Sequence, residues 1–350
     1  MTAAVLAVRT TLVLHRFPLS LLGAGLALVA AIGFAVSVGA VAIPVGTVWA
    51  IALDQLWPGL VHADWSAGRA NIVWEIRFPR ALLAAVVGAG LALVGTALQA
   101  VTRNPLADPH LLGVSSGACC GAIVALLHTG LFLGLVTLPL FAFAGALVAT
   151  GLVLALTTAT AARSADRLVL VGVAVSFVIM AAANILIFLG DPRAAHTVVF
   201  WMLGGLGMAE WSHLAWPVGA LLLGGGWLMA NARLLTAMTV GDETAAALGI
   251  EVERFRRAVF VATAFLTGAM VAFSGAIGFV GLMVPHVVRL VVGGSVERMV
   301  PLAALVGAIF LVLADAAARL LAAPEDMPIG IVTGVVGGLF FLAMMARTRR

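Results

Sequence analysis

Few residues in this chain are placed to do chemistry, and their spacing argues against catalysis. Gly113-Val114-Ser115-Ser116-Gly117 matches the G-x-S-x-G pattern of a hydrolase nucleophile elbow. That elbow needs a strand-to-helix turn with histidine and acid partners. Here the match lies in an apolar run, and Gly113, Gly117 and Gly121 fall four residues apart, as on one face of a membrane helix. Cys119 and Cys120 are adjacent, fit no metal or haem spacing and read as small packing residues. The seven histidines are scattered without ligand spacing, so neither a metal site nor a catalytic residue is expected. All 19 basic residues are arginine. Without lysine there is no Walker A loop and no Schiff base, so any ATP used is hydrolysed by another chain.

The elements that must position these residues are membrane helices. Of 350 residues, 63% are hydrophobic and only 10% charged, against about 25% charged in a soluble domain. Apolar runs occur at 17–43, 81–101, 111–128, 138–162, 168–189, 211–232, 257–274, 276–292, 300–320 and 329–346, the third and eighth being short. A span takes roughly 20 residues, so the expected fold is all-α and polytopic, with about ten spans in one transmembrane domain over residues 1–350. Both termini are expected in the cytoplasm, with a tail at 1–16 and a long loop at 233–256. Fourteen arginines then fall inside, and five (Arg69, Arg77, Arg80, Arg193, Arg319) outside, as the positive-inside rule requires. The arginines are spread singly over short loops rather than gathered on one face, which argues against a nucleic-acid partner.

Three segments stand out. Arg103-Asn104-Pro105-Leu106-Ala107-Asp108-Pro109 is a proline-stiffened loop at the cytoplasmic end of the second span, where Asn104 and Leu106 could constrict a pathway. In the 233–256 loop, Thr239, Gly241 or Asp242 can cap a short helix that Gly249 ends, with Glu243, Ala246 and Leu248 on it. Its small residues suit docking into a groove on another protein. On the outer face, Arg77, Arg80 and Arg319 run against the charge bias; carboxylates on a partner protein or lipid phosphates would account for them.

These segments, taken together, resemble the permeases of the iron-siderophore, haem and cobalamin ABC importers (type II). The resemblance is carried by Arg77-Phe78-Pro79-Arg80, Gly88 to Gln99, Arg103 to Ala107, Leu112 to Gly117, Phe200 to Gly205, Gly241 to Gly249, Gly278 to His286 with Arg289, Asp315 with Arg319, and Pro328-Ile329-Gly330, in family order. Leu339 departs from it, standing where the family usually has proline. The resemblance implies an inner-membrane permease of a bacterium that alternates access, pairs with itself or a paralogous permease, and works with two ABC ATPases and a periplasmic binding protein. ATP and Mg would be held by the ATPases, and no cofactor by this chain. It further implies coupling to the ATPase through Gly241, Asp242, Glu243, Ala246, Leu248 and Gly249, and docking of the binding protein by Arg77, Arg80 and Arg319. Asn104, Pro105 and Leu106 match the cytoplasmic gate, and Ser176, Met180, Asn184 and Thr333 are candidate wall residues of the pathway. An iron chelate is the expected cargo, with cobalamin the alternative. A secondary transporter driven by an ion gradient is a further alternative, for which the acid well inside a span is Asp315.

Overall fold

The computed structural model describes residues 3–62, 64–109, 113–159 and 165–348, so Leu112, Arg163, Arg349 and Arg350 lie outside it. Its described residues form helices and no strands. In chain order these are α1 (Ala3–Ser37), α2 (Val45–Leu56), α3 (Ala67–Asn71), α4 (Phe78–Thr102), α5 (Val114–Ile123), α6 (Thr137–Ala159), α7 (Ala165–Leu189), α8 (Pro192–Met202), α9 (Trp211–Ala220), α10 (Gly226–Ala230), α11 (Ala232–Val240), α12 (Asp242–Ala247), α13 (Val252–Ser274), α14 (Val280–Val292), α15 (Val296–Leu321) and α16 (Ile329–Thr348). Among the described residues, eight stretches are long and apolar enough to cross a bilayer. The other two expected spans fall on shorter apolar helices, Val114–Thr129 and Val280–Val292, and a third such helix, Val45–Leu56, forms where no apolar run was expected. The segment 1–16 expected as a tail is helical from Ala3 and continuous with the first span. The second span also starts earlier than its apolar run: α3 leads through a π turn at Ile72–Arg77 into α4. Pro79, one residue into α4, has no N–H to donate to the preceding turn, which fits a widened turn at this point.

α4 is the axis of the bundle. Its apolar window is 89% buried, against 17% for α7 and α16, so α4 packs all round while the other two leave long faces uncovered. Glycines set the close crossings. A Cβ on Gly88 would overlap the carbonyl of Gly307 in α15, and one on Gly307 would overlap that of Gly88. Gly95 meets Gly281 of α14 in the same way, and Gly117 of α5 meets Gly145 of α6. Without side chains between them the backbones approach closely, which is how membrane helices gain packing energy where no water drives them together. The stripe predicted at Gly113, Gly117 and Gly121 is thus used inside the chain, apart from Gly113, which caps α5 with φ 82°. On α16, Gly330, Gly334 and Gly338 are also four residues apart but divide: Gly330 packs on the Leu203 carbonyl, whereas Gly334 and Gly338 have open space beside them. With leucine at 339, α16 runs unbroken to Thr348.

Three short segments knot the bundle between its long helices. Gly205 N–H donates to Ser274 O (2.9 Å), Ile329 N–H to Gly204 O (3.0 Å) and Gly330 N–H to Leu203 O (3.1 Å). This pairing satisfies backbone groups where α8, α13 and α16 end or begin, as a low-dielectric setting demands. Just beyond it Phe279 takes a left-handed conformation, φ 70°, and its ring occupies the space where Gly337 lacks a side chain.

Candidate functional site

The outer end is built around Asp315 on α15, which is 1% exposed. Arg80 Nε donates to its Oδ1 at 3.0 Å and Arg319 Nε to its Oδ2 at 3.0 Å. Arg80 also pairs with Asp326 in the loop before α16. The remaining arginine donors go to the end of α1: Arg319 to Ala35 O (2.7 Å) and Val38 O (2.9 Å), Arg77 to Val36 O (2.9 Å) and Val41 O (2.6 Å). Helix C-termini leave carbonyls without intrahelical partners, and these two guanidinium groups supply the missing donors. The carboxylates expected on a partner protein are therefore, for Arg80 and Arg319, Asp315 and Asp326 of the same chain. Direct docking through these guanidinium groups would first have to break those bonds. In the sequence Asp315 stands one helical turn from Arg319, but nothing there points to Asp326 or to the carbonyls of residues 35–41.

At the cytoplasmic end, α4 stops at Thr102 because Arg103 adopts a left-handed conformation, φ 52°. The loop that follows is braced internally. Asn104 Oδ1 accepts from Leu106 N–H (2.9 Å), and Asn104 O accepts from Ala107 N–H (3.1 Å). Pro105 stiffens the loop further and Leu106 stands 55% exposed at its tip. The expected short helix forms as α12, bounded by Gly241 (φ 144°) and Gly249 (φ 83°), conformations that suit glycine. Ala245 is its buried anchor, while Glu243, Ala246 and Leu248 face outward, Leu248 68% exposed. Asp242 accepts from Arg256 Nη2 on α13 at 2.8 and 2.7 Å, and Arg103 Nη2 lies 3.7 Å from it.

The wall candidates divide. Ser176 and Met180 on α7 share a cavity of about 360 Å³ with Ser115, Ser116, Cys119 and Met202. The hydroxyl of Ser115 is buried there without a hydrogen-bond partner. Asn184 lies further along α7 on its exposed face. Thr333 is fully buried and bonds to Gly330 O at 3.3 Å. It sits on the inward side of α16, opposite Val335 and Leu339, which are 57% and 62% exposed. Ser115 also disposes of the elbow reading, because it lies on helix α5 with no strand before it among the described residues.

A bundle of apolar spans, with a short cytoplasmic helix offered to solvent and a braced loop beside it, defines a polytopic membrane permease. Residues 27–347 match the model of the FecCD transport family, and the chain belongs to that family. It is 38% identical over 318 residues to the uncharacterized ABC transporter permease protein YvrB of Bacillus subtilis, covering 90% of each chain. It is 37% identical over 296 residues to the hemin transport system permease protein HmuU of Yersinia pestis, covering 81% of this chain and 87% of that one. It is also 37% identical over 275 residues to the cobalamin import system permease protein BtuC of Halobacterium salinarum, covering 78% and 73%. Among solved structures, an inward-facing metal-chelate-type ABC transporter superposes with a TM-score of 0.80 at 29% identity, over 94% of this chain and 99% of that one. The chain is therefore a membrane permease of an ABC importer.

Proposed function

We propose that this permease moves an iron chelate, a siderophore complex or haem, across the bacterial inner membrane by alternating access. It does so paired with itself or a paralogous permease, with two ATPase subunits holding ATP and Mg below and a periplasmic binding protein above. The observation that carries this reading is the cavity between α5 and α7, where Ser115, Ser176, Met180 and Met202 form a weakly polar wall beside the uncovered α7 face. Such a wall suits a bulky chelate that must be passed on rather than held. The hemin-named relative supports haem in particular. The cobalamin-named relatives support cobalamin as the second reading, since a corrinoid is also bulky and largely neutral at its edges.

Coupling to the ATPases falls to α12, whose outward residues Glu243, Ala246 and Leu248 are placed to meet them. At the other face, Arg77, Arg80 and Arg319 serve docking by holding the end of α1 and the loop at Asp326 in place, while the exposed Arg69 and Arg193 meet the binding protein's carboxylates. An ion-driven carrier finds less support, because Asp315 is already bridged by two arginines. The test is reconstitution of the permease with its ATPase and binding protein in vesicles, comparing uptake of haemin, a ferric siderophore and cobalamin. ATP-dependent accumulation of an iron chelate is expected. Accumulation of cobalamin alone would replace the cargo, and ATP-independent uptake would replace the mechanism.

A further inference from the structure

A second cavity, of about 230 Å³, opens among the cytoplasmic ends of α4, α11, α14 and α15. Arg103 and Arg289 line it together with Gln99, Thr96, Thr239 and Gly294, and no carboxylate is among its lining residues. Its hydrogen-bond donors are unevenly used. Thr96 and Thr239 spend their hydroxyl protons on Ala92 O (2.8 Å) and Thr236 O (2.7 Å). Gln99 spends its amide N–H groups on Gly281 O (3.1 Å) and Leu282 O (3.4 Å). The guanidinium groups are held loosely by comparison: Arg289 Nη2 is 3.5 Å from Gln99 Oε1, and Arg103 Nη2 is 3.7 Å from Asp242. Asp242 itself is engaged by Arg256 at 2.7 Å. Two arginines thus share one aspartate, and one of them, Arg103, faces together with Arg289 a concave space that offers a ligand almost nothing but cationic donors.

We propose that this cavity is a phosphate site, filled by the headgroup of an anionic glycerophospholipid of the cytoplasmic leaflet. A guanidinium binds phosphate oxygens through two parallel N–H bonds, which ordinary solvent exposure does not replace. The cavity lies at helix ends on the arginine-rich side of the protein, where headgroup phosphates are always present and where basic pockets between helices take them up. A phosphate bridging Arg103 and Arg289 would tie the end of α4 to α14. It would also draw Arg103 away from Asp242, so that lipid occupancy and the contact between the 103–107 loop and α12 compete for one side chain.

The full-length chain in detergent, given equal amounts of phosphatidylglycerol and phosphatidylcholine, tests this by native mass spectrometry. Phosphatidylglycerol is expected to stay bound preferentially, and Arg289→Gln to weaken its retention about tenfold, as loss of a charged hydrogen-bonding partner does. Arg289→Lys should fall between the two, since it keeps charge and loses the fork. Arg289 is exposed, so the thermal midpoint should not move and a folding defect is distinguishable. Sodium phosphate at matched ionic strength is the second arm. Binding of inorganic phosphate that depends on Arg289, without lipid retention, would support the phosphate site and overturn its assignment to lipid. Equal retention of both lipids by the wild type and by Arg103→Gln with Arg289→Gln, with no response to phosphate, would overturn the proposal. None of these readouts requires transport, so they stand apart from the cargo and the ATPase.

Discussion

Arg103 Nη2 lies 3.7 Å from Asp242 Oδ1, and this pair joins the loop that ends α4 to the short helix α12. Arg256, with a side chain only 5% exposed, grips the same carboxylate from α13. The braced loop carrying Leu106 and the short helix α12, proposed to meet the ATPase, therefore share one acid. Arg103→Gln removes an exposed pair worth about 0.2–1 kcal/mol, whereas Asp242→Asn also weakens the buried contact to Arg256. We expect Asp242→Asn to lower uptake more than Arg103→Gln while ATPase binding persists. Equal uptake by both variants and the wild type, measured in vesicles, would show that the shared carboxylate transmits nothing.

Ala246 is exposed on α12. Ala246→Arg should leave the thermal midpoint unchanged but cut uptake to about a tenth or less, because a long charged side chain at a close contact costs well over 1.4 kcal/mol. Normal uptake at normal expression would remove α12 from the contact with the ATPase.

Leu106 gives a proposed cytoplasmic gate a direct readout. In a symmetric pair, equivalent side chains near the axis meet their own counterparts. With Cys119 and Cys120 replaced by alanine, Leu106→Cys should crosslink between subunits in one nucleotide state and at least several-fold less in another. A yield that ignores nucleotide would mark the 103–107 loop as static.

Asp315 holds two arginine side chains that are 12% and 10% exposed. Truncating the carboxylate leaves those charges short of their counter-ion in a poorly hydrated place, at a cost of about 3–5 kcal/mol. Asp315→Ala should therefore lower the thermal midpoint in detergent markedly. Charge reversal at exposed Arg69 or Arg193 should leave the midpoint alone and weaken binding-protein docking in a salt-dependent way. If Asp315→Ala melts like the wild type, the cluster is not structural, and the arginines return to the docking surface.

Gly95 tests the packing account. Its missing Cβ is where the Gly281 carbonyl sits, so Gly95→Val should cost at least about 1–3 kcal/mol by overpacking, whereas Gly334→Val, facing open space, should cost little in the isolated chain. A loss of uptake without a loss of stability in Gly334→Val would place α16 at a contact with another subunit or the cargo.

Run length alone was enough to find eight long apolar helices and two of the shorter ones, but not Val45–Leu56, since a helix must keep about 20 residues apolar to satisfy lipid. The order of short motifs was enough to name the family. The bounds of α12 were also legible, because Gly241 and Gly249 sit at backbone angles that few other residues tolerate. Partnership was not legible. Arg80 meets Asp315 across 235 residues of chain, and Arg77 meets carbonyls of the α1 end 36–41 residues before it. Nor could the sequence say that Thr333 faces inward while Val335 faces out. All of these depend on how far each helix is rotated about its axis. That rotation is fixed only when glycine pairs such as Gly88 with Gly307 and Gly95 with Gly281 bring two backbones together. A membrane helix that is apolar all round carries no polar stripe to announce which side is buried, so tertiary packing alone decided where the outer arginines spend their charge.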